Sequence, residues 1–428
     1  MIPTALITLL VLMALAIPVA ASLGVLGIVL AQLFAFLPVS KAAGEIAWSS
    51  SNEFLLVALP MFILLGELLL RSGLAERMYG ALAKWLSWLP GGLMHSNIAA
   101  CALFAATSGS SVATAATVGT VALPQARRYG YNERLFLGTL AAGGTLGILI
   151  PPSINMIIYA VLTNTSVPKL YLAGIVPGVL LALGFMLVVL IACALRPAWG
   201  GQRIAAPLAE CIAGLVHLLP PLGLFLVVVG SIYAGIATPT EAAALGVMAG
   251  LGLAWWNKAL NWRMLRAALL GTMRSTGMIM LIIVAAYFLN FVMSSIGLTT
   301  ALTDTVQRLG LSKWEMLIAV IVFYVVLGCF METLSLMITT IPVIAPVMAA
   351  LGFDMIWFGV VIIVLVETAL ITPPVGLNLF VVHNLRPSGS MNDVILGAVP
   401  FVVALFALLA ALAFFPGLAL WLPSVISQ

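Results

Sequence analysis

Apolar runs long enough to cross a bilayer recur from one end of this chain to the other, separated only by short loops. A spanning helix needs about 20 apolar residues, because in lipid its backbone must satisfy its own hydrogen bonds. Of 428 residues, 64% are hydrophobic and 7% charged, so no stretch is hydrophilic enough for a soluble domain. The fold class that follows is an all-α polytopic membrane protein, with the lipid bilayer as its surroundings. A soluble ligand-capturing or catalytic module would have to be another chain. The formal charge of +4 comes from loop Lys and Arg and reports orientation rather than nucleic-acid binding.

Cys101, Cys193, Cys211 and Cys329 lack CxxC spacing and read as small hydrophobes. His95, His217 and His383 stand singly, without metal-ligand spacing. No resident cofactor is expected. Residues 1–37 carry no basic n-region and no cleavage pattern. They read as retained membrane helix, two short spans bent near Pro18.

Spans are expected over 53–70, 134–165, 168–195, 212–234, 240–256, 275–293, 355–385 and 392–422. One span in each half, 134–165 and 355–385, is interrupted. Ile150-Pro151-Pro152-Ser153 and Thr372-Pro373-Pro374-Val375 each set paired prolines inside an apolar run. Proline deletes a backbone hydrogen bond and clashes with the preceding turn, so each pair predicts a broken helix whose freed polar groups need a sheltered cavity. Residues 93–126 and 315–350 are long enough for two helices but polar at the centre, through Thr107 to Ser111 in one and Gly328 to Ser335 in the other. Both predict re-entrant helical hairpins.

The halves align. Pro124 with Pro346, Tyr129-Gly130-Tyr131-Asn132 with Leu351-Gly352-Phe353-Asp354, Pro151-Pro152 with Pro373-Pro374, and Leu23-Gly24-Val25 with Leu245-Gly246-Val247 share one offset. Residues 1–200 and 212–428 therefore read as two repeats. Arg127, Arg128 and Arg134 flank the first Gly-Tyr-Asn loop, whereas the equivalent Gly-Phe-Asp loop has no basic residue, so the positive-inside rule inverts one copy relative to the other. Inverted repeats with broken helices at the midplane are a recurring plan of secondary transporters. Two amphipathic stretches, Arg71–Leu89 and Ser295–Leu311, read as helices along the membrane surface or as ordinary connectors.

Hydroxyls and carbonyls at Thr107-Ser108-Gly109-Ser110-Ser111, with Thr114 and Thr117, are the oxygen donors a hard cation takes, and sodium is the natural candidate. Close packing of small residues between helices is the plainer alternative. In the second half stand Gly328, Glu332, Thr333 and Ser335 on the hairpin and Glu367, Thr368, Thr372, Gly376 and Asn378 on the broken helix. An ionisable residue at membrane depth is costly, so Glu332 and Glu367 are functional candidates unless they cap a helix or face water. Glu67 pairs simply with Arg71 one turn on. No Lys or Arg falls in the tips or breaks, so anionic substrate groups are expected at half-helix N-termini, where Ser153, Asn155, Gly376 and Asn378 are placed for them. Ser111, Thr114, Glu332 and Thr333 complete the expected substrate set.

Several motifs together carry a family resemblance over nearly the whole length: Leu59-Pro60-Met61-Phe62 with Gly66-Glu67, Phe104 to Ser111, Arg128 to Asn132, Gly147 with Ile150 to Ser153, Ala173 to Gly178, Thr238 to Ala243, Gly352-Phe353-Asp354 and Leu370 to Phe380. The chain resembles the large membrane subunit of tripartite ATP-independent periplasmic (TRAP) transporters. The resemblance implies a sodium-coupled importer of an organic acid anion in the bacterial cytoplasmic (inner) membrane, acting by an elevator motion. Both hairpins and both broken helices would form the transport domain, sliding against a scaffold of the remaining spans. Its implied partners are a small four-helix membrane subunit and a periplasmic substrate-binding protein. Carried over by motif, Ser108, Ser110, Gly147, Ile150 and Pro152 would hold one sodium ion and Gly328, Thr368 and Thr372 another. Thr114 stands where many members have Asp, and Ile148 and Asn155 where proline is usual. Two other readings compete: a single-component sodium/dicarboxylate symporter, whose Ser-Asn-Thr tip signature is missing, and an ion channel, for which no ring of charges is present. An enzyme is not expected, since no nucleophile–base pair is visible.

Overall fold

Two helices apolar on every face form the centre of the molecule, and the others pack around them. From Leu135 to Leu149 and from Trp357 to Leu370 every residue is buried, as all-round apolar composition requires. The computed structural model describes residues 1–428 except 16, 37, 205, 299, 302–303, 305–309, 311 and 427–428. Its helices in chain order are α1 (Ile2–Ala14), α2 (Val19–Phe34), α3 (Ala43–Ser51), α4 (Ala58–Arg71), α5 (Leu74–Leu86), α6 (Gly92–Ser108), α7 (Ser111–Arg128), α8 (Glu133–Leu149), α9 (Ile154–Thr163), α10 (Val167–Leu195) and α11 (Leu208–Tyr233). They continue with α12 (Pro239–Trp256), α13 (Trp262–Ser295), α14 (Lys313–Gly328), α15 (Thr333–Ala350), α16 (Met355–Leu370), α17 (Leu377–Asn384), α18 (Met391–Phe414) and α19 (Gly417–Ile426). Among the described residues six helices are long and apolar enough to cross a membrane, seven if the bent pair α8–α9 is one span.

Local chemistry sets the ends of these helices. Asn132 accepts from the Leu135 amide at 3.0 Å and so caps α8, and Asp354 does the same for α16 with the Ile356 and Trp357 amides at 2.8 and 3.0 Å. The sequence match of Asn132 to Asp354 thus has a physical content: both start a broken helix. Gly130 and Gly352, two residues earlier in each alignment, both hold left-handed backbone at φ 66° and 77°, where a Cβ is unfavourable. The peptide bonds Pro151-Pro152 and Pro373-Pro374 are both cis.

Both polar-centred stretches are hairpins. The Leu93 amide at the start of α6 donates to Tyr131 Oη just beyond α7, at 3.1 Å. Lys313 Nζ at the start of α14 donates to the Gly352 carbonyl just beyond α15, at 3.4 Å. Each pair therefore returns to where it began. The broken helices run antiparallel: Arg386 Nη2, after α17, lies 3.0 Å from Glu133 at the start of α8, while Tyr159 Oη on α9 donates to the Met355 carbonyl at the start of α16, at 2.7 Å. α8 and α9 are bent by 42° across Pro151-Pro152.

Some expectations change. The span expected over 392–422 is two helices, because Pro416 lacks the amide to continue α18; α19 folds back onto α10. The span expected over 275–293 begins at Trp262, since capping by Asn261 starts the helix earlier. The stretch 240–256 is helical, capped by Thr238 and Glu241, but is not among the helices apolar enough to cross. The first amphipathic stretch is α5, which buries Leu74, Met78, Tyr79 and Leu82 and exposes Glu76 and Arg77. The second, Ser295–Leu311, lies largely outside the described residues. Residues 1–37 form α1 and α2, separated beside Pro18 as expected.

The end of the molecule bearing Arg127 is fastened by charges from both halves. Arg386, with 4% of its side chain exposed, reaches Glu133 and Asp393, the latter at 3.8 Å, and Arg134 Nε holds Asp393 at 2.8 Å. Arg386→Met leaves two carboxylates without their shared cation. With both acids partly exposed and screened, a loss of about 1–2 kcal/mol is expected, read as a lowered Tm of the purified protein that high salt narrows.

Candidate functional site

The tips of the two hairpins and the two helix breaks meet at the centre, where the proline pairs end the buried helices. Glycine makes this possible. A Cβ on Gly147 of α8 would lie 2.7 Å from the Ser110 carbonyl carbon and oxygen and from the Ser111 amide, so the first tip rests directly on the first broken helix. A Cβ on Gly109 would lie 2.9 Å from the Pro152 carbonyl oxygen. In the second half Gly328 sits against Ala369 of α16, and Cys329 Sγ approaches the Pro373 carbonyl at 3.2 Å. Each tip leans on its own half's break in the same way.

Between the tips is a cavity of about 70 Å³. Its polar lining comes from Ser110, Ser111 and Asn155 on one side and Glu332 and Thr333 on the other, with Ile148, Leu370 and Leu377 closing it. Glu332 caps α15: Oε2 accepts from the Ser335 amide at 3.0 Å and Oε1 from Thr333 Oγ1 at 3.1 Å. Its capping role and its place at the cavity coexist. Of the substrate residues expected from sequence, Ser111, Asn155, Glu332 and Thr333 line the cavity and four others do not. Thr114 is buried against Ser108 Oγ at 3.1 Å and the Ser110 carbonyl at 2.7 Å. Ser153 caps α9 through the Met156 amide at 3.3 Å. Gly376, at φ 54°, turns the chain into α17. Asn378 spans the halves, donating from Nδ2 to the Ala141 carbonyl at 3.2 Å, while its buried Oδ1 has no hydrogen-bond partner.

The residues expected to hold sodium fall in two groups. Ser108, Ser110, Gly147 and Pro152 converge at the first tip and break, together with the hydroxyl of Thr114. Ile150 ends α8 but sends its side chain against Gly178 of α10. Gly328, Thr368 and Thr372 gather at the second. Thr368 Oγ1 donates to the Val364 carbonyl at 2.7 Å and Thr372 Oγ1 to the Thr368 carbonyl at 2.6 Å, leaving both hydroxyl oxygens as acceptors one turn apart. Hydroxyl and carbonyl oxygens are the donor set a hard cation requires.

Two contacts join what the sequence leaves apart. Ser111 Oγ lies 3.4 Å from both carboxylate oxygens of Glu367, which is fully buried and has no cationic partner among the described residues. Glu367 therefore bridges the first tip to the second broken helix. The second contact brings Gly66 of α4 to the Ser108 carbonyl, 3.0 Å from where a Cβ would stand. Glu67 beside it pairs with Arg71, as its spacing predicts, and packs over Gly271 of α13.

Residues 6–418 match the family model described as "Tripartite ATP-independent periplasmic transporter, DctM component". The chain belongs to this family. It is 35% identical over 404 residues to the C4-dicarboxylate TRAP transporter large permease protein DctM of Pseudomonas aeruginosa, covering 94% of each chain. The corresponding C4-dicarboxylate permease of Rhodobacter capsulatus is 33% identical, with 96% of each chain covered. The sialic acid TRAP transporter large permease protein SiaM of Vibrio cholerae is 30% identical over 87% of each. The solved structure of the Alcanivorax borkumensis YdaH transporter shares the fold, with a TM-score of 0.59 at 18% identity over 94% of this chain and 96% of that one. The TRAP large permease is a transporter component and not an enzyme, and it is a multi-pass protein of the bacterial cytoplasmic membrane.

Proposed function

We propose that this TRAP permease is the carrier of a sodium-coupled importer that moves a small organic acid anion by an elevator motion. A periplasmic binding protein hands the substrate over, and a small membrane subunit of four helices braces the permease. The observation that carries the reading is the polar-lined cavity where both hairpin tips rest on two antiparallel broken helices. A single site held between two such halves suits a carrier that exposes it to one side at a time. The relatives' names, organic-acid TRAP permeases, support the substrate class and decide against a single-component symporter or a channel.

Packing supports a division into two bodies. Hairpins and broken helices carry α10 and α18 with them: backbones of Gly138 on α8 and Gly397 on α18 touch, Phe185 and Phe401 meet edge to face at 5.5 Å, and Trp357 Nε1 donates to the Leu412 carbonyl at 2.9 Å. The scaffold is then α2, α4, α12 and α13, where Gly27 admits Phe288 and Gly246 and Gly250 admit Leu65. On this reading α10 and α18 move with the hairpins, whereas the division expected from sequence has them in the scaffold. The two halves act as inverted repeats, and the Arg127 end faces the cytoplasm. Each net positive charge carried inward gains about 2.3 kcal/mol per 100 mV, so co-bound sodium both neutralises the anion and drives it.

Removing one hydroxyl from each sodium group tests the ion assignments. Ser108→Ala and Thr372→Ala are each expected to raise the sodium concentration for half-maximal uptake about tenfold, corresponding to about 1.4 kcal/mol. Sodium activation curves unchanged in both variants remove the assignments.

A further inference from the structure

Of the helix N-termini that reach the central cavity, the two at the hairpin tips differ in charge. α7 is capped by the neutral Ser110, so its free amides and positive dipole end remain available to an anion. α15 is capped by Glu332, whose carboxylate already occupies that end. Glu332 uses one acceptor site on each oxygen, for Thr333 Oγ1 and the Ser335 amide, and a carboxylate offers about four. Its spare capacity faces a cavity whose lining holds no Lys, Arg or His. A second carboxyl, Glu367, stands behind Ser111 at 3.4 Å.

We propose that the substrate is a compact monocarboxylate carrying a hydrogen-bond donor, a hydroxyl or an ammonium, beside its carboxylate. The inference rests on the cavity being the transport site. The carboxylate goes to the α7 side, against Ser110 and Asn155, and the donor goes to Glu332. A dicarboxylate would press its second charge onto the partly buried Glu332, where like charges repel. An acid without a donor would leave the acceptors of Glu332 desolvated and unmatched. The cavity of about 70 Å³ suits a small substrate.

The test is thermal stabilisation of the purified complex of permease and small subunit in saturating sodium, without binding protein, so that only the permease selects. Lactate, alanine, propionate and succinate are the probes. Lactate or alanine is expected to raise Tm at concentrations at least tenfold below those needed of propionate and succinate. Glu332→Gln, which keeps an acceptor for the Ser335 amide, is expected to shrink the gap to succinate at least tenfold. Succinate or propionate acting as well as lactate and alanine, no response to any probe, or an unchanged preference in Glu332→Gln overturns the proposal. Failure of the transport reading itself is a separate result, the absence of sodium-driven uptake in vesicles.

Discussion

Gly138→Ala is expected to prevent accumulation of folded protein. Gly138 lies where α8 crosses α18, and a Cβ there would occupy the space of the Gly397 carbonyl, which is backbone and cannot rotate aside. The α8 helix has no room to retreat, because it is buried all round and holds Cys101 against Gly143 and Ala115 against Gly144 on its other faces. Small residues at such crossings allow helix backbones to touch, and in membranes this close packing is a main source of association. Overpacking by one methyl group in a rigid site costs about 3 kcal/mol, a large part of a typical stability of about 5–15 kcal/mol. Size-exclusion profile and Tm in detergent measure it. Gly184→Ala on α10, where a Cβ meets nothing within 4 Å, is the control and leaves both unchanged.

The second large effect separates folding from transport. Gly147→Ala places a Cβ 2.7 Å from the Ser110–Ser111 peptide, at the tip of a hairpin rather than between two long helices. A tip yields more readily than a buried helix crossing, so the protein folds with the tip displaced. Displacement spreads Ser108, Ser110 and Pro152, whose oxygens form the proposed first sodium group, and opens the cavity wall at Ser111. Uptake is expected to fall at least tenfold, equivalent to about 1.4 kcal/mol of lost ion binding, with Tm within a few degrees of wild type. Wild-type sodium dependence in this variant would show that the tip contact does not hold the ion.

How much of this was legible in the chain follows from the range of each interaction. Proline breaks and the Glu67–Arg71 pair depend on neighbours within a few residues, and each is where the sequence places it. The hairpins are legible because polar tips interrupt apolar runs. Contacts between distant segments are not: nothing local announces that Ser111 reaches Glu367, that Gly66 faces Ser108, or that Asn378 reaches Ala141. The same limit explains Thr114 and Ser153, expected at the substrate but turned by helix geometry toward their own backbone. The end of α18 at Pro416 was available in the sequence, but uniform hydropathy on both sides hides it. The apolar cavity walls, Ile148, Leu370 and Leu377, carry no chemical signal and emerge only from the fold.

Uptake by proteoliposomes holding the permease and its small subunit, with binding protein and labelled organic acid outside, tests the central claim most directly. An inward sodium gradient is expected to drive accumulation that an inside-negative potential increases, and omission of either sodium or the binding protein abolishes it. Accumulation by the permease without sodium, or a substrate-independent sodium current, contradicts the account.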